Sequence, residues 1–331
     1  MSSKSVPVLA LAAALICSSV HANEPFAAGG LVLDPAAPIV VAQQDVYLSI
    51  REVRVSYVYE SDAAQTIAMS FPMPIVPIDG GPDNLGGFQL EEGSDHTNYA
   101  AASIKVGGQK IEPTVREFAY FNGVDITAEL TALGIPVYVG DGELKAALAG
   151  VDAAKVADLV QREIIYLDSY GDPQNVNWQY QSVLEWTQDF AAGVTEAEIS
   201  YTPMNGYPDD VHNQYFGEGE DIYVAEAREA YCIDDALLKV LNKKRTAGSY
   251  FELVWLDFAP SAEERARPVE EFSLVVDKQD TADWSDDMDY VAFCPVDSKK
   301  IAPTQFQWTA TDFTPRDFKL VYYADTSDPS E

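Results

Sequence analysis

The stretch Val46–Glu60 reads VYLSIREVRVSYVYE, and it decides the fold class. In its second half, β-branched and aromatic residues occupy every second position: Val53, Val55, Tyr57 and Tyr59. Alternation with period two in this composition is typical of a strand with one buried face. The stretch therefore predicts a strand over its whole length and a protein built mainly from sheets.

Other segments of the same character lie along the chain between turn residues. Ser103–Val106, the pair Gly107-Gly108 and Gln109–Val115 together predict a hairpin with a two-glycine turn. The second half of the chain carries further short strand candidates: Tyr250–Phe258, Phe272–Val276, Tyr290–Phe293, Thr304–Trp308 and Phe318–Tyr323. Short strands separated by turn chemistry indicate a β-sandwich-like arrangement.

Two regions have helical rather than strand spacing. The segment from about residue 125 to about residue 170 is rich in Ala, Leu, Lys and Glu with helical spacing, which indicates a helical insertion. Residues of about 233–244 predict one further helix, with acidic residues in its first turn and basic residues near its last. A turn-rich stretch begins at Asn205 and marks a boundary. We therefore expect a mainly β (α+β) protein with a β-sandwich-like domain over 23–204, containing the insertion, and a smaller β-rich domain over 205–331.

The first 22 residues have the anatomy of a secretory signal peptide. Lys4 precedes the apolar run Val6–Ile16, and the small residues Val20 and Ala22 stand before a cleavage point. The run is shorter than the ~20 apolar residues that span a bilayer, so a retained anchor is the weaker alternative. The sequence predicts an exported protein, periplasmic or secreted, with no membrane span after cleavage at 22.

The chain is strongly acidic, with a formal net charge of −32. Removal of the signal takes away Lys4 and no carboxylate, so the mature charge becomes −33. Such a surface repels nucleic acid and anionic lipid. The charge excludes a nucleic-acid partner and favours cationic partners or divalent ions, although scattered carboxylates are commonly just a solvated face.

Two cysteines remain after the signal is removed, Cys232 and Cys294. An even pair in an oxidising compartment predicts one disulfide. The alternatives are two free thiols or metal ligands, and a pair 62 residues apart without a CxxC motif makes a poor metal site.

Acidic residues are concentrated between residues 280 and 289, where five occur in ten positions. Hard cations take several oxygen ligands, so Ca²⁺ is the one cofactor that the sequence raises. The EF-hand order, with its glycine, is missing, and a solvated loop is the alternative. The candidate ligands are Asp280, Asp283, Asp286, Asp287 and Asp289.

Polar, aromatic-containing loops are predicted at Gly80–Tyr99 and Asn205–Tyr223. Tyrosines in such loops are candidates for contact with a ligand: Tyr99, Tyr207, Tyr215 and Tyr223. The only histidines of the mature chain, His96 and His212, stand singly in these loops. Because no Gly-x-Ser-x-Gly, HExxH or P-loop motif occurs, no catalytic residue is assigned.

The order of several motifs resembles a bacterial family catalogued as domain of unknown function 4424. The resemblance covers nearly the whole mature chain and is carried by these segments: Ala27–Leu33 (AAGGLVL), Ile50–Tyr59 (IREVRVSYVY), Phe71–Pro74 (FPMP), Gly123–Asp125 (GVD), Leu133–Pro136 (LGIP), Trp186–Gly193 (WTQDFAAG), Tyr201–Pro203 (YTP), Tyr231–Asp235 (YCIDD), Phe293-Cys294, Lys299–Phe306 (KKIAPTQF) and Asp312–Pro315 (DFTP). The resemblance implies export, the cysteine pair and one continuous two-part architecture. It transfers no activity, because the family name records none.

Three functions remain open on the sequence. The first is a non-enzymatic binding or interaction module of the bacterial cell envelope, acting on an envelope protein or a small ligand. The second is an envelope hydrolase that cleaves glycan or peptide with paired carboxylates. The third is a structural protein stabilised by calcium.

Overall fold

The computed structural model describes residues 28–78, 95–140, 143–204, 228–249, 251–278, 288–295 and 297–325. The strands in the first half are β1 (Val32–Leu33), β2 (Val40–Leu48), β3 (Val53–Ser61), β4 (Gln65–Pro72), β5 (Val76–Pro77), β6 (Ser103–Val106), β7 (Gln109–Lys110), β8 (Thr114–Phe121), β9 (Val124–Asp125), β10 (Ile165–Leu167), β11 (Pro173–Val176), β12 (Gln179–Phe190) and β13 (Gly193–Tyr201). Those in the second half are β14 (Phe251–Phe258), β15 (Val269–Asp277), β16 (Tyr290–Phe293), β17 (Lys299–Lys300), β18 (Gln305–Phe313) and β19 (Phe318–Asp325). The mainly β class predicted from the sequence is confirmed.

The helices are short, apart from one. They are α1 (Thr127–Leu133), α2 (Leu144–Leu148), α3 (Ala153–Gln161), α4 (Asp235–Thr246) and α5 (Ala262–Arg265), with a 3₁₀ turn at His96–Asn98. The first three form the predicted insertion, where they build their own apolar cluster with the β10–β11 hairpin and Trp178. Helix α4 packs through Leu241 on the three-stranded sheet of β14, β16 and β19.

A long eight-stranded sheet is the spine of the molecule, in the order β17-β18-β15-β2-β3-β13-β6-β7. Strand β15 runs parallel to β2, and the other neighbours in this sheet are antiparallel. The parallel pair joins a strand from the second half of the chain to one from the first. This sheet takes strands from both sides of the predicted boundary near residue 205. The division into two domains there stays a prediction.

Two smaller sheets cover the apolar face of the spine. One has the order β1-β4-β12-β8-β9, with β5 also paired to β12, and the other has the order β14-β19-β16. Buried side chains from all three sheets belong to one continuous core cluster, which includes Val55, Phe71 and Leu320. The three sheets therefore share a single hydrophobic core.

The opening stretch VYLSIREVRVSYVYE is two strands, which corrects the prediction of one. Strand β2 ends at Leu48 and β3 begins at Val53, with a tight turn between them. The Ser49 amide donates to the Glu52 carbonyl at 2.9 Å, and Ser49 Oγ accepts from the amides of Arg51 and Glu52. A serine hydroxyl that bonds nearby backbone amides stabilises a turn in place of a continuing ladder.

The predicted two-glycine turn is confirmed, but the predicted strand Gln109–Val115 is wrong beyond Lys110. Gly107 and Gly108 have φ of +56° and +76°, a conformation that side chains with a Cβ rarely adopt. The second strand ends at Lys110, and the chain resumes at Thr114 as β8 in the six-stranded sheet. Pro113 stands between the two strands and has no backbone N–H to continue the ladder.

The second-half helix is confirmed within two residues of its predicted ends. Asp234 Oδ1 accepts from the Leu237 amide at 2.7 Å, which caps the first turn of α4. Cys232 lies just before this helix and Cys294 just after β16. Their Cα atoms are 5.3 Å apart and their sulfurs are at disulfide-bond distance. The pair therefore ties α4 to the three-stranded sheet.

The two smaller sheets meet above β2 and β3, along a line that we call the seam. Residues 28–33 cross it: Ala28 forms a bridge with Phe258 of β14, and Val32 pairs with Ser70 of β4. Two buried tyrosines hold this segment. Tyr57 Oη accepts from the Leu31 amide at 2.9 Å, and Tyr201 Oη donates to the Gly29 carbonyl at 3.0 Å.

A buried glutamate completes the seam. Glu264, in α5, accepts from the Ser261 amide at 2.9 Å, from the Gly30 amide at 3.3 Å and from Tyr57 Oη at 3.3 Å. Burial raises the pKa of Glu264 to about 7, against the lowering effect of these hydrogen bonds. A Cβ on Gly30 would lie 1.6 Å from Tyr57 Oη, so only glycine lets the backbone come this close.

Candidate functional site

Four rings pack together near the start of β12. We call His96, Tyr99, Tyr138 and Tyr180 the tyrosine cluster. The His96 ring stacks on Tyr138 with centroids 4.4 Å apart and planes within 9° of parallel. Tyr138 meets Tyr180 edge to face at 5.3 Å, and Tyr99 lies 5.9 Å from Tyr180. Stacked and edge-to-face contacts of this kind fix the rings relative to one another.

A carboxylate faces the tyrosine cluster. Tyr180 Oη donates to Glu117 Oε1 at 2.9 Å, and His96 Nε2 lies 3.4 Å from the same oxygen. The His96 and Glu117 side chains are 39% and 36% exposed, so solvent reaches both. Burial, and then the adjacent Glu117 carboxylate, raise the pKa of Tyr180 above its ordinary value. The Tyr180 hydroxyl therefore keeps its proton and remains a donor to Glu117.

The turn that carries His96 is built by its neighbours in sequence. Asp95 Oδ1 accepts from the Thr97 amide at 2.9 Å and from Thr97 Oγ1 at 2.6 Å. Those hydrogen bonds lower the pKa of Asp95. Ser182 Oγ donates to the Thr97 carbonyl at 2.6 Å, which fixes the turn on β12. A capped turn held on a sheet places His96 rigidly.

The other rings of the cluster are anchored through backbone carbonyls. The Tyr99 hydroxyl donates to the Pro74 carbonyl, and burial raises its pKa. Trp178 Nε1 donates to the Val137 carbonyl at 2.8 Å, which holds the segment that presents Tyr138. The cluster is thus assembled from segments far apart in sequence.

Both predicted polar loops join the described chain at this cluster. Residues 79–94 lie between Ile78 and Asp95, and residues 205–227 follow Met204; both segments are outside the described residues. Ile78 and Met204 pack against the small buried cluster of Val76 and Tyr180. The entry points of the two loops therefore share one end of the six-stranded sheet.

The predicted ligand-contact tyrosines have different outcomes. Tyr99 is part of the cluster, half-buried, with its hydroxyl bound to a carbonyl. Tyr207, Tyr215 and Tyr223 lie outside the described residues, and their role stays a prediction. Sequence reasoning assigned no role to Glu117. Its neighbours on the same face of β8 are the exposed Val115 and the buried Ala119, so no local signal marked it.

The predicted calcium ligands fall mostly outside the described residues. Among them, Asp289 is described, and its Oδ2 accepts from the Asp325 amide at 2.8 Å. The other four are not described: Asp280, Asp283, Asp286 and Asp287. Within the described ranges, no three His, Cys, Asp or Glu side chains are grouped to hold a metal ion. Calcium binding stays a prediction.

Comparison with protein families gives one match over most of the chain. The family described as Domain of unknown function (DUF4424) matches residues 22–320. The chain belongs to this family. The resemblance that the sequence motifs predicted is therefore confirmed, and the tyrosine cluster and the seam both lie inside the DUF4424 region.

Comparison with other proteins adds no function. The comparison with curated proteins found no match to this DUF4424 chain. A crystal structure of a "putative nutrient binding protein" from Legionella pneumophila subsp. pneumophila str. Philadelphia 1 is similar, at 10% identity and a TM-score of 0.41. The match covers 89% of this chain and 71% of that one. A likeness of this size carries no argument about ligands.

None of the helices in the described part of the chain is long and apolar enough to cross a membrane.

Proposed function

We propose that this protein is an exported, non-enzymatic binding module of the bacterial cell envelope. We also propose that the tyrosine cluster is its ligand-binding surface. The observation that carries the proposal is the half-exposed Glu117 carboxylate beside the stacked rings of His96 and Tyr138. The signal-like residues 1–22 and the cysteine pair at disulfide distance are compatible with export.

The chemistry of the surface indicates the kind of ligand. A carboxylate accepts hydrogen bonds, and tyrosine rings offer flat apolar faces that also attract cations. The net charge of the mature chain, −33 after loss of Lys4, disfavours an anionic ligand. The expected ligand therefore combines hydrogen-bond donors with a flat apolar face, as in a neutral glycan or a cationic peptide.

The test uses the mature chain against panels of neutral oligosaccharides and short lysine-containing peptides. Wild-type protein should bind members of one panel. Tyr138→Ala and Glu117→Gln should each weaken that binding at least about 10-fold, because each removes a direct contact. Tyr170→Ala is the matched control, since Tyr170 is 92% exposed and lies in the β10–β11 turn. Equal binding by all four proteins would show that the ligand sits elsewhere.

No observation on the described residues favours either alternative function. The hydrolase hypothesis needs two carboxylates facing one cleft, and at the tyrosine cluster the described carboxylate is engaged by Tyr180. The calcium hypothesis rests on residues outside the described chain, apart from Asp289.

A further inference from the structure

The segment of residues 28–33 covers a buried carboxylate at the seam. The backbone of Gly29 and Gly30 lies directly against Glu264, because a Cβ on these glycines would lie only 2.7 Å and 3.0 Å from its carboxylate oxygens. Glu264 is 9% exposed and accepts from the Gly30 amide at 3.3 Å. Withdrawal of this segment from the seam would therefore open the carboxylate to water.

Fewer contacts hold this segment than hold the strands of the spine. Two residue pairs join β1 to β4, and Ala28 adds a single bridge to Phe258. Leu31 and Leu33 are its larger buried side chains. Strand β3, by contrast, pairs with β2 on one side and with β13 on the other. Because local opening starts where few backbone contacts have to break, residues 28–33 can leave the seam while the spine stays paired.

The cations near Glu264 are engaged by other partners. Arg265 lowers the pKa of Glu264, but its guanidinium also donates to Asp317. Arg267 lines the same part of the seam and donates to the backbone carbonyl of Ala37 at 3.1 Å. In the described part of the chain, no Lys or Arg forms a salt bridge with Glu264. A negative charge on Glu264 is therefore poorly compensated while the seam is closed.

The other ionisable groups near Glu264 do not supply a positive charge either. They are three tyrosine hydroxyls and one further carboxylate: Tyr57 and Tyr59 of β3, Tyr201 of β13 and Glu263 of α5. Burial raises the pKa of each of these tyrosines, so their hydroxyls stay uncharged near neutral pH. Burial also raises the pKa of Glu264, to about 7, and outweighs its hydrogen bonds.

Ionisation of Glu264 favours an open segment. Once the segment has left the seam, water surrounds the carboxylate and its pKa returns towards the ordinary value of 4.5. A group that holds its proton more tightly in the closed state stabilises that state fully below the open-state pKa. The stabilisation is then lost as the pH rises through the closed-state value of about 7.

We propose that residues 28–33 form a strap whose release from the seam is controlled by the protonation of Glu264. The strap is closed when the carboxyl group is protonated, and the open strap becomes more populated when the carboxylate is ionised. Opening removes β1 from β4 and the Ala28 bridge from β14, so it frees a backbone edge on each of the two smaller sheets. The strap is independent of the tyrosine cluster and shares no residue with it.

The test is native-state hydrogen exchange of residues 23–331, read at the Gly30 and Leu31 amides at about pH 5 and about pH 8 and corrected for the intrinsic exchange rates. In wild type, the protection of both amides should fall at least about 10-fold between the two pH values. Glu264→Gln removes the titration and keeps an acceptor for the Gly30 amide, so its protection should be the same at both. Glu263→Gln is the matched control and should keep the wild-type fall.

Urea separates release of the strap from global unfolding. Release exposes little surface, so exchange at Gly30 and Leu31 should depend only weakly on low concentrations of urea. Exchange at Val55, which pairs with both β2 and β13, should depend on urea steeply. The strap is overturned if all three amides exchange at one rate with one urea dependence, because only global unfolding then exposes them. Control by Glu264 is overturned by equal wild-type protection at both pH values, or by an undiminished fall in Glu264→Gln.

Discussion

Two glutamates of this protein accept a hydrogen bond from a tyrosine hydroxyl, in contrasting surroundings. At the seam, Glu264 accepts from Tyr57 at 3.3 Å and is 9% exposed. At the tyrosine cluster, Glu117 accepts from Tyr180 at 2.9 Å, and its side chain is 36% exposed. The same pair of groups joins distant segments of the backbone when it is buried, and it leaves carboxylate acceptor positions open to solvent when it is exposed.

Desolvation is the physical origin of the difference. At Glu264, loss of water raises the pKa to about 7, although three hydrogen bonds act in the opposite direction. Backbone amides of Gly30 and Ser261 supply two of those bonds, so the carboxylate organises the main chain around it. At Glu117 the described partners are side chains, Tyr180 and His96, and water reaches the remaining acceptor positions.

The largest effect is expected from Gly30→Ala. The new Cβ would lie 1.6 Å from Tyr57 Oη and force apart the segment that crosses the seam. Overpacking and the loss of the adjacent hydrogen bonds should lower the free energy of unfolding by about 4 kcal/mol. Urea unfolding of residues 23–331 measures the change. Gly150→Ala is the control, since nothing lies within 4 Å of its Cβ position, and it should change little. A loss below about 1 kcal/mol for Gly30→Ala would show that Tyr57 or the backbone at residue 30 shifts at little cost to make room for the Cβ.

The next effect is a pH dependence carried by Glu264. Its folded pKa of about 7 is above the value of 4.5 expected in the unfolded chain, so the folded state holds this proton more tightly. The stability from this group is therefore fully present below about pH 4.5 and is lost as the pH rises towards 7. That difference between the folded and unfolded pKa corresponds to a loss of about 3 kcal/mol.

Glu264→Gln removes the titration of this group. The difference between wild type and variant therefore separates it from the titration of the other carboxylates. The difference in free energy of unfolding between wild type and this variant should change by about 3 kcal/mol across that pH range. Glu263→Gln leaves Glu264 in place and should keep the wild-type pH profile. Parallel pH profiles for wild type and Glu264→Gln would contradict the assignment.

The smallest effect sharpens the comparison directly, through one hydroxyl removed at each site. Tyr57→Phe leaves the Leu31 amide without its acceptor inside the core and should cost about 2 kcal/mol. Tyr180→Phe leaves Glu117 able to bind water, so its cost should be about 0.5 kcal/mol. Chemical unfolding of the two variants under one condition gives the ratio of their losses in free energy of unfolding. Equal losses would mean that exposure at Glu117 does not matter.

Much of the local structure could be predicted from the sequence. The helix near residues 233–244, the two-glycine turn and the five second-half strands were all identifiable. Local rules were enough there, because capping, positive φ and alternation act over a few residues. The rules failed at Ser49–Glu52, where a serine-based turn interrupts a run of strand-forming residues. They also could not show that β7 and β8 belong to different sheets.

The candidate site was less predictable. Tyr99 stood out because it lies in a polar loop, and it is part of the tyrosine cluster. Glu117 is one of 53 acidic residues, and nothing local marks it as the one beside Tyr180. At the seam, Gly30 and Glu264 are 234 positions apart in the chain. No spacing rule reaches across such a distance.

Composition and neighbouring residues in the chain were enough to predict the mainly β class, the acidic charge, the family, the two-glycine turn and the helix near residues 233–244, because each depends on them alone. Three features follow from the tertiary structure alone: β15 pairs with β2, residues 28–33 cross between two sheets, and Glu264 accepts from the Gly30 amide. Those outcomes depend on which apolar faces bury one another and on which buried polar groups find partners. Both conditions are set by packing across the whole chain.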